Sequence, residues 1–200
     1  MSIYYISITV AVTACFVQVW GHFVYNRESG IYPNPTSWTL WGLTGFLEAW
    51  NYQDLSGDWV KNLLPYTCAL CCAITWVICI FRSKFQFKRL KPQDWISLLL
   101  CSAALVIWRK FDLVVEANIV LQVDNVISFI PIIVSVWGDS EEEKPKAWMV
   151  WTVSYLLATA TVMLRFEKVA DLYYPVNCVL LHFIVGLLSL RAPAQRQKIA

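Results

Sequence analysis

The sequence predicts an all-α membrane protein with seven transmembrane helices, built as two parallel three-helix repeats joined by a linker helix. Of the 200 residues, 58% are hydrophobic and only 15% are charged, whereas soluble domains contain roughly 25% charged residues. The apolar residues form runs of about 20, which is the length that crosses a bilayer core. Several residues also recur at one fixed spacing of 110 positions. These three observations together define the fold class.

Seven apolar segments are candidate spans. The first begins without basic residues or a small-residue cleavage site, so we expect a retained span rather than a signal peptide. Arg109, Lys110 and Asp112 form the boundary between the fourth and fifth segments. The predicted spans are 3–25, 37–53, 61–82, 94–111, 113–137, 146–165 and 170–190.

The repeat relates the first three spans to the last three. A fixed period marks a structural unit that is used more than once, and a unit displaced by four spans keeps its orientation, so the copies are parallel. We expect a first repeat over 1–82, a loop and linker helix over 83–112, and a second repeat with a short tail over 113–200. The repeated pairs are Pro35/Pro145, Trp38/Trp148, Trp41/Trp151, Pro65/Pro175 and Cys68/Cys178.

Lysine and arginine are distributed unequally between the two sides of the predicted bundle. The opposite side holds eleven of them, including Lys88 in the loop between spans three and four, and the side of the N-terminus holds five: Lys61, Arg109, Lys110, Arg165 and Lys168. Cytoplasmic loops carry the excess of these residues, so we expect a multi-pass integral membrane protein with its N-terminus outside and its C-terminus in the cytoplasm. The bilayer is then its surroundings, and a net charge of only +2 does not favour a nucleic-acid partner.

Polar side chains recur at helical spacing inside two predicted spans. One face of the second span carries Trp41, Thr44, Glu48 and Asn51. The offset of 110 leads from Trp41 and Thr44 to Trp151 and Ser154 in the sixth span. Polar groups at membrane depth usually face a cavity or a partner helix, so we predict that both faces contact a substrate. The alternative is that these groups only join neighbouring helices.

Further candidate substrate contacts come from the first, third, fifth and seventh spans: Gln18, Thr67, Gln122, Asn125 and Asn177. The dipeptide Gln18-Val19 recurs at position 122, an offset of 104, and we attribute the six missing residues to a longer loop between spans five and six.

Two carboxylates and one proline lie deep in apolar sequence. Glu48 and Asp124 are candidate proton carriers, because a buried carboxyl can exist in its neutral, protonated form; alternatively, they are held neutral or paired. Pro131 removes a backbone N–H inside the fifth span. We therefore predict a break in that helix and a hinge at this position.

The tryptophans fall into two groups. Six of them lie near predicted span ends and are typical of the interfacial belt of membrane proteins: Trp20, Trp59, Trp95, Trp108, Trp137 and Trp148. Trp41 and Trp151 lie deeper in their spans. They are candidate flat walls against a sugar or a heterocyclic ring.

The sequence does not indicate a catalytic or metal centre. Cys68, Cys71 and Cys72 would share one helix face, an arrangement compatible with a soft metal, but no other Cys or His cluster in the sequence completes the ligands. Cysteine is also a small packing residue, so we predict no metal and no cofactor. Common phosphate-binding and hydrolase motifs are absent from the sequence, and we predict no enzyme.

The predicted architecture resembles the SWEET and PQ-loop (MtN3-like) transporter superfamily, which includes vitamin transporters of the nicotinamide riboside type. The resemblance rests on the 3-1-3 order of spans and on second spans that begin with proline and continue with tryptophan. Asn177 matches the Asn of the third helix in SWEET members, and its counterpart by offset here is Thr67. The resemblance implies a transporter for a sugar, vitamin or similar small polar molecule that works by alternating access as a passive uniporter. Assembly into a homo-oligomer is left open.

Two other functions remain open. A sorting receptor of the KDEL-receptor type shares this architecture, but its cavity contains basic residues, and deep basic residues are lacking here. A structural or signalling membrane protein would have duplicated packing without a cavity.

Overall fold

Seven α-helices and one short 3-10 turn make up the computed structural model, which describes residues 2–27, 35–84 and 89–191. The 3-10 turn Val169–Leu172 leads directly into the last helix. Lys88 of the predicted 3–4 loop and the predicted tail, 192–200, lie outside the described residues. The helices are α1 (Ile3–Arg27), α2 (Pro35–Ser56), α3 (Trp59–Arg82), α4 (Pro92–Phe111), α5 (Val114–Gly138), α6 (Pro145–Leu164) and α7 (Tyr173–Ser189).

Each predicted span coincides with a helix, and the ends differ by at most three residues. Asp112 separates α4 from α5: it has a left-handed backbone with φ of 57°, and its N–H donates to the last carbonyls of α4. Aspartate tolerates this conformation better than most residues. The predicted boundary at Asp112 is therefore the place where α4 ends and the chain turns into α5.

Side-chain burial is inverted relative to a water-soluble protein. Phe16 and Leu99 are 72% and 68% exposed, while Gln18 and Asp124 are buried. Five segments are long and apolar enough to cross a membrane, namely α1, α3, α5, α6 and 169–189. The remaining helices, α2 and α4, are less apolar than these five segments. The chain is therefore a helical integral membrane protein.

The prolines leave the helices intact. Pro65 lies inside α3, in its second turn. Helix α5 runs through Pro131 as a continuous α-helix, so the predicted break there is wrong. One missing N–H removes one hydrogen bond, which the rest of a 25-residue helix tolerates. Hinge motion at this proline remains a prediction.

The helices pack as a closed ring in the order α1, α3, α2, α5, α7, α6, with α4 outside it against α5 and α2. The ring is symmetric with respect to the two halves of the chain: if α1, α2 and α3 are replaced by α5, α6 and α7, and the reverse, each helix keeps the corresponding neighbours. The ring thus has two junctions between its halves, α2 against α5 and α6 against α1.

Equivalent hydrogen bonds cross the two junctions. Thr44 Oγ1 donates to Asp124 Oδ2 at 3.1 Å, and Ser154 Oγ donates to the Ala14 carbonyl at 2.8 Å. The donors Thr44 and Ser154 differ by 110 positions, and so do the acceptor residues Ala14 and Asp124. The same offset of 110 therefore relates α1 to α5. The offset of 104 expected from Gln18-Val19 is wrong. Six residues separate α5 from α6 and seven separate α1 from α2, so the 5–6 loop is not the longer one.

Candidate functional site

One end of the bundle is held by ion pairs. The start of α1, the ends of α2 and α6, and the starts of α3 and α7 meet there. Arg165 Nε contacts Asp58 Oδ2 at 2.5 Å, and its Nη1 donates to Ser7 Oγ at 3.2 Å. Lys61 Nζ lies 2.7 Å from Asp171 Oδ2, and both side chains are fully buried. We call this region the ion-paired end.

Lys61 and Asp171 occupy equivalent positions of the two repeats, since their numbers differ by 110. Each lies near the start of the third helical segment of its unit. The Tyr52 hydroxyl donates to the Asp171 carbonyl at 2.6 Å, and Glu167 approaches Lys61 at 3.3 Å. The sequence had placed Lys61 among the cations of the N-terminal side, but it is a buried partner of a carboxylate.

Asp58 connects the ion-paired end to the backbone of α3. Its carboxylate accepts a hydrogen bond from the Val60 N–H at 2.8 Å and so caps the helix. Burial acts to raise the pKa of this carboxyl, but the hydrogen bonds from Arg165 and Val60 outweigh burial and hold the pKa below its ordinary value. Asp58 is therefore held as an anion in this contact.

Toward the opposite end, six aromatic side chains form a closed circuit of ring contacts, with centroid separations of 5.1 to 5.8 Å. We call this set the aromatic collar. Two repeat-related pairs of tryptophans contribute four of its members, and α1 and α5 contribute one each. In order, the collar contains Trp38, Trp41, Phe129, Trp148, Trp151 and Tyr25.

Trp148 corrects an expectation from the sequence. It was assigned to the interfacial belt, but it is only 1% exposed and packs in the collar. Its indole N–H donates to Glu143 Oε2 at 3.0 Å. Trp108, predicted for the same belt, is also buried at 3% exposure, whereas Trp20 and Trp137 are 53% and 67% exposed.

A cavity lies between the collar and the ion-paired end. About 70 Å³ of it is open to the centre of a water-sized sphere, which is room for several ordered waters. All six helices of the ring contribute to its wall. Beside the collar tryptophans and Phe129, the side chains that line it include Gln18, His22, Thr44, Glu48, Cys68, Cys72, Asn125, Ser128, Tyr155, Tyr174, Cys178 and His182.

Six predicted substrate contacts line this cavity: Gln18, Trp41, Thr44, Glu48, Asn125 and Trp151. Gln122 and Asn177 stand behind them. Gln122 Nε2 donates to Glu48 Oε1 at 2.6 Å, and Asn177 Nδ2 donates to Gln122 Oε1 at 2.9 Å. This chain of hydrogen bonds runs from α7 through α5 to α2 and orients the Glu48 carboxyl at the cavity wall.

The other three predicted contacts do not reach the cavity wall. Asn51 accepts from Asn118 at 2.9 Å and donates to the Val114 carbonyl at 3.2 Å. Ser154 bonds to α1, as described above, and Thr67 donates to the Leu63 carbonyl of its own helix at 2.7 Å. Asn51 and Ser154 thus join neighbouring helices, which is the alternative that the sequence had left open.

Glu48 and Asp124 lie in different surroundings. Glu48 lines the cavity. Asp124 is buried outside the cavity lining and accepts hydrogen bonds from Thr44 and, at 3.3 Å, from the thiol of Cys101 on α4. Of the two candidate proton carriers, only Glu48 can exchange a proton with the cavity directly, because only its side chain lines the cavity wall.

Sequence reasoning did not assign His22, Cys68, Cys72 and His182 to the site. The structure brings His22, Cys68 and Cys72 together, with their ligand atoms within 4.8 Å of one another. Cys71, which shares the predicted helix face, does not belong to this group. A usable signal existed, because Cys72 and His182 also differ by 110 positions, as Cys68 and Cys178 do.

The wall offers two kinds of chemistry. Its rings provide flat apolar surface, while Gln18, Glu48 and Asn125 provide hydrogen-bonding groups, a combination typical of small-molecule sites. The thiols and imidazoles provide soft metal ligands. No family model, curated protein or solved structure matches this chain.

Proposed function

We propose that the chain is a small-solute membrane transporter that works by alternating access. Two parallel three-helix repeats, α1–α3 and α5–α7, would rock against each other around the cavity, with α4 as the linker. The observation that carries the proposal is the cavity itself, because all six helices of the ring line it and the ion-paired end and the collar lie on opposite sides of it. Binding sites at the interface between repeats are the usual arrangement in secondary transporters.

The substrate is a small polar molecule with a flat face, such as a sugar or a ring-bearing vitamin. Trp41 and Trp151 occupy equivalent positions on the two repeats and both line the cavity, so each repeat offers one aromatic surface. Glu48 and Gln18 are placed to hydrogen-bond polar groups at the ring edge. Entry of a molecule of that size requires one of the two ends to open, since the present cavity admits only several waters.

The ion-paired end faces outward and the collar faces the cytoplasm. Of the five Lys and Arg residues predicted on the outer side, Lys61 and Arg165 are paired with carboxylates. The side of the ion-paired end holds five Lys and Arg residues and the side of the collar holds eleven, and cytoplasmic loops carry the excess of these residues.

Ligand binding is the first test. Purified protein is screened by thermal stabilisation against sugars, vitamins and amino acids, since a ligand of the native state raises the unfolding temperature. A hit should be lost in Trp41→Ala and in Trp151→Ala. Trp20→Ala is the matched control, because Trp20 is exposed on the outer surface of α1, and it should keep the hit.

Transport is tested by uptake of that ligand into liposomes. Time-dependent accumulation down its gradient, abolished in Trp151→Ala, supports the transporter. Binding without any uptake would contradict it and favour the receptor alternative. A ligand bound equally by both tryptophan variants would place the site outside this cavity.

Passive uniport makes a separate prediction about protons. Uptake should be the same with and without a pH gradient, and Glu48→Gln should change ligand affinity without changing this independence. Glu116→Gln is the control, since Glu116 is exposed near the start of α5. Uptake that follows the proton gradient and loses this dependence in Glu48→Gln would show proton coupling instead.

A further inference from the structure

Two thiols and one imidazole converge on the cavity from adjacent helices. Cys68 and Cys72 lie one turn apart on α3, and His22 comes from α1, which packs beside it. Their sulfur and nitrogen atoms lie within 4.8 Å of one another, and all three side chains line the cavity. We propose that His22, Cys68 and Cys72 bind one thiophilic d10 cation, either Cu(I) or Zn(II).

The imidazole is held in an orientation that suits a ligand. His22 Nδ1 lies 3.0 Å from Thr75 Oγ1, and the Asn26 amide donates to the same oxygen at 3.1 Å. When Nδ1 carries the proton and donates to Thr75, Nε2 is the unprotonated nitrogen that can bind the cation. Ligating histidines commonly use their second nitrogen in such an outer hydrogen bond, which fixes the ring.

The separations are close to those of a closed site. With metal–sulfur bonds of about 2.3 Å and metal–nitrogen bonds of about 2.0 Å, tetrahedral geometry separates ligand atoms by roughly 3.5–3.8 Å. Atoms that lie within 4.8 Å of one another therefore need to approach by no more than about 1.3 Å. Small rotations of the three side chains supply that movement. Two thiolates and one imidazole are a donor set that selects soft or borderline cations.

The facing repeat offers candidates for a further ligand. Cys178 and His182 on α7 stand at positions equivalent to Cys68 and Cys72, and they line the same cavity. Each pair is spaced by four residues, so both members project from one helix face. The Tyr155 hydroxyl lies 3.1 Å from Cys68 Sγ. A cation held by the first repeat would thus lie next to donors of the second.

This inference reverses the expectation of no metal, which rested on the lack of a second Cys or His cluster near Cys68, Cys71 and Cys72. The missing ligand comes from a different helix. The inference uses the cavity but does not require transport, so the metal can be counted on purified protein whatever the result of uptake experiments.

The test is metal stoichiometry of the full chain. Protein purified in detergent under reducing, anaerobic conditions is stripped with a chelator, reloaded with Zn(II) or with Cu(I), and desalted before elemental analysis. One equivalent of at least one of the two ions should remain, and competition with a chromophoric chelator identifies which ion is preferred. Cys68→Ser, Cys72→Ser and His22→Ala should each weaken binding at least tenfold.

Cys71→Ser is the matched control. Cys71 is a buried thiol on the same helix but is not part of the cluster or of the cavity wall, so this variant should bind metal like the parent protein. Co(II) loading gives a second readout, because its sulfur-to-metal charge-transfer absorption should fall by about half in Cys68→Ser and stay unchanged in Cys71→Ser.

Thr75→Val separates ligation from orientation. It keeps both thiols and the imidazole but removes the outer hydrogen bond, and it should weaken binding by about 10–100-fold. The unfolding temperature of each metal-free variant shows whether it is folded. The proposal is overturned if the parent protein retains neither ion, or if a folded Cys68→Ser/Cys72→Ser protein retains as much metal as the parent.

Discussion

The two ends of the bundle lie on opposite sides of the same cavity and are built with opposite chemistry. The ion-paired end uses charged groups at fixed separations, such as the 2.7 Å contact between Lys61 and Asp171. The aromatic collar uses rings in mixed edge-to-face and stacked contacts, each of which contributes about 0.5–1.5 kcal/mol beyond area burial. Rings can slide and rotate while remaining in contact, but buried charges cannot separate without losing their partners. From this comparison we expect the ion-paired end to resist separation of its helices more strongly than the collar does.

The largest expected effect is at the buried pair. Lys61→Met leaves the Asp171 carboxylate buried and unpaired, and we expect a loss of about 3–5 kcal/mol in the free energy of unfolding. The double variant Lys61→Met/Asp171→Leu removes both charges and should recover most of that loss. Denaturation in mixed micelles measures both. A double variant no more stable than Lys61→Met would show that the pair is not the relevant interaction.

Trp148→Ala tests the collar. Because lipid is as apolar as the protein interior, the cost is mainly the void left behind, and we expect a loss of about 2–3 kcal/mol. The open collar should also speed labelling of Cys72 by a membrane-permeant thiol reagent. Trp137→Ala is the control, since Trp137 is 67% exposed, and it should change neither. Unchanged labelling in Trp148→Ala would mean that the collar does not limit access.

Gly21 tests how tightly the collar is supported from α1. A Cβ atom there would lie 2.5 Å from Trp151 Cδ1 and Nε1, whereas a Cβ at Gly42 would meet nothing within 4 Å. Gly21→Ala should therefore cost about 1–3 kcal/mol by overpacking. Gly42→Ala should be neutral or stabilise α2 by up to about 1 kcal/mol. Equal unfolding midpoints for the two variants would contradict this packing.

The smallest effect is a pH dependence at the ion-paired end. The pKa of Asp58 is held below its ordinary value of 3.8, so the carboxylate contributes stability above that pH and loses it as pH falls through the lower, folded-state pKa. The unfolding midpoint of the parent protein should fall toward that of Asp58→Asn as pH drops from about 5 to below 3.8. A constant gap between the two proteins over that range would contradict the assignment.

Helices and repeat could be read from the sequence because both depend on patterns along the chain. Runs of apolar residues fix the span lengths, and Pro35/Pro145 mark the first residues of α2 and α6. The offset also led to Trp41 and Trp151 on the cavity wall. These features need no knowledge of how one helix is rotated against another.

What the sequence missed depends on that rotation. His22 joins Cys68 and Cys72 only because α1 packs on α3 with those faces together. Trp148 is the fourth residue of α6. A tryptophan at this position can lie in the interfacial belt or pack inside the bundle, depending on which way its helix face points. Lys61 was predicted at the first position of its span and counted with the cations of that side, and only its contact with Asp171 reveals why it tolerates burial.

The meeting of Lys61 with Asp171 has a consequence for how the two halves of the chain can assemble. Residues near a two-fold axis meet their own copies when two identical units associate. A homodimer of the first half would thus set one lysine ammonium against another in a dry environment, and a homodimer of the second half would oppose two carboxylates. Neither half can replace the other, and separately expressed halves should associate only as an unlike pair.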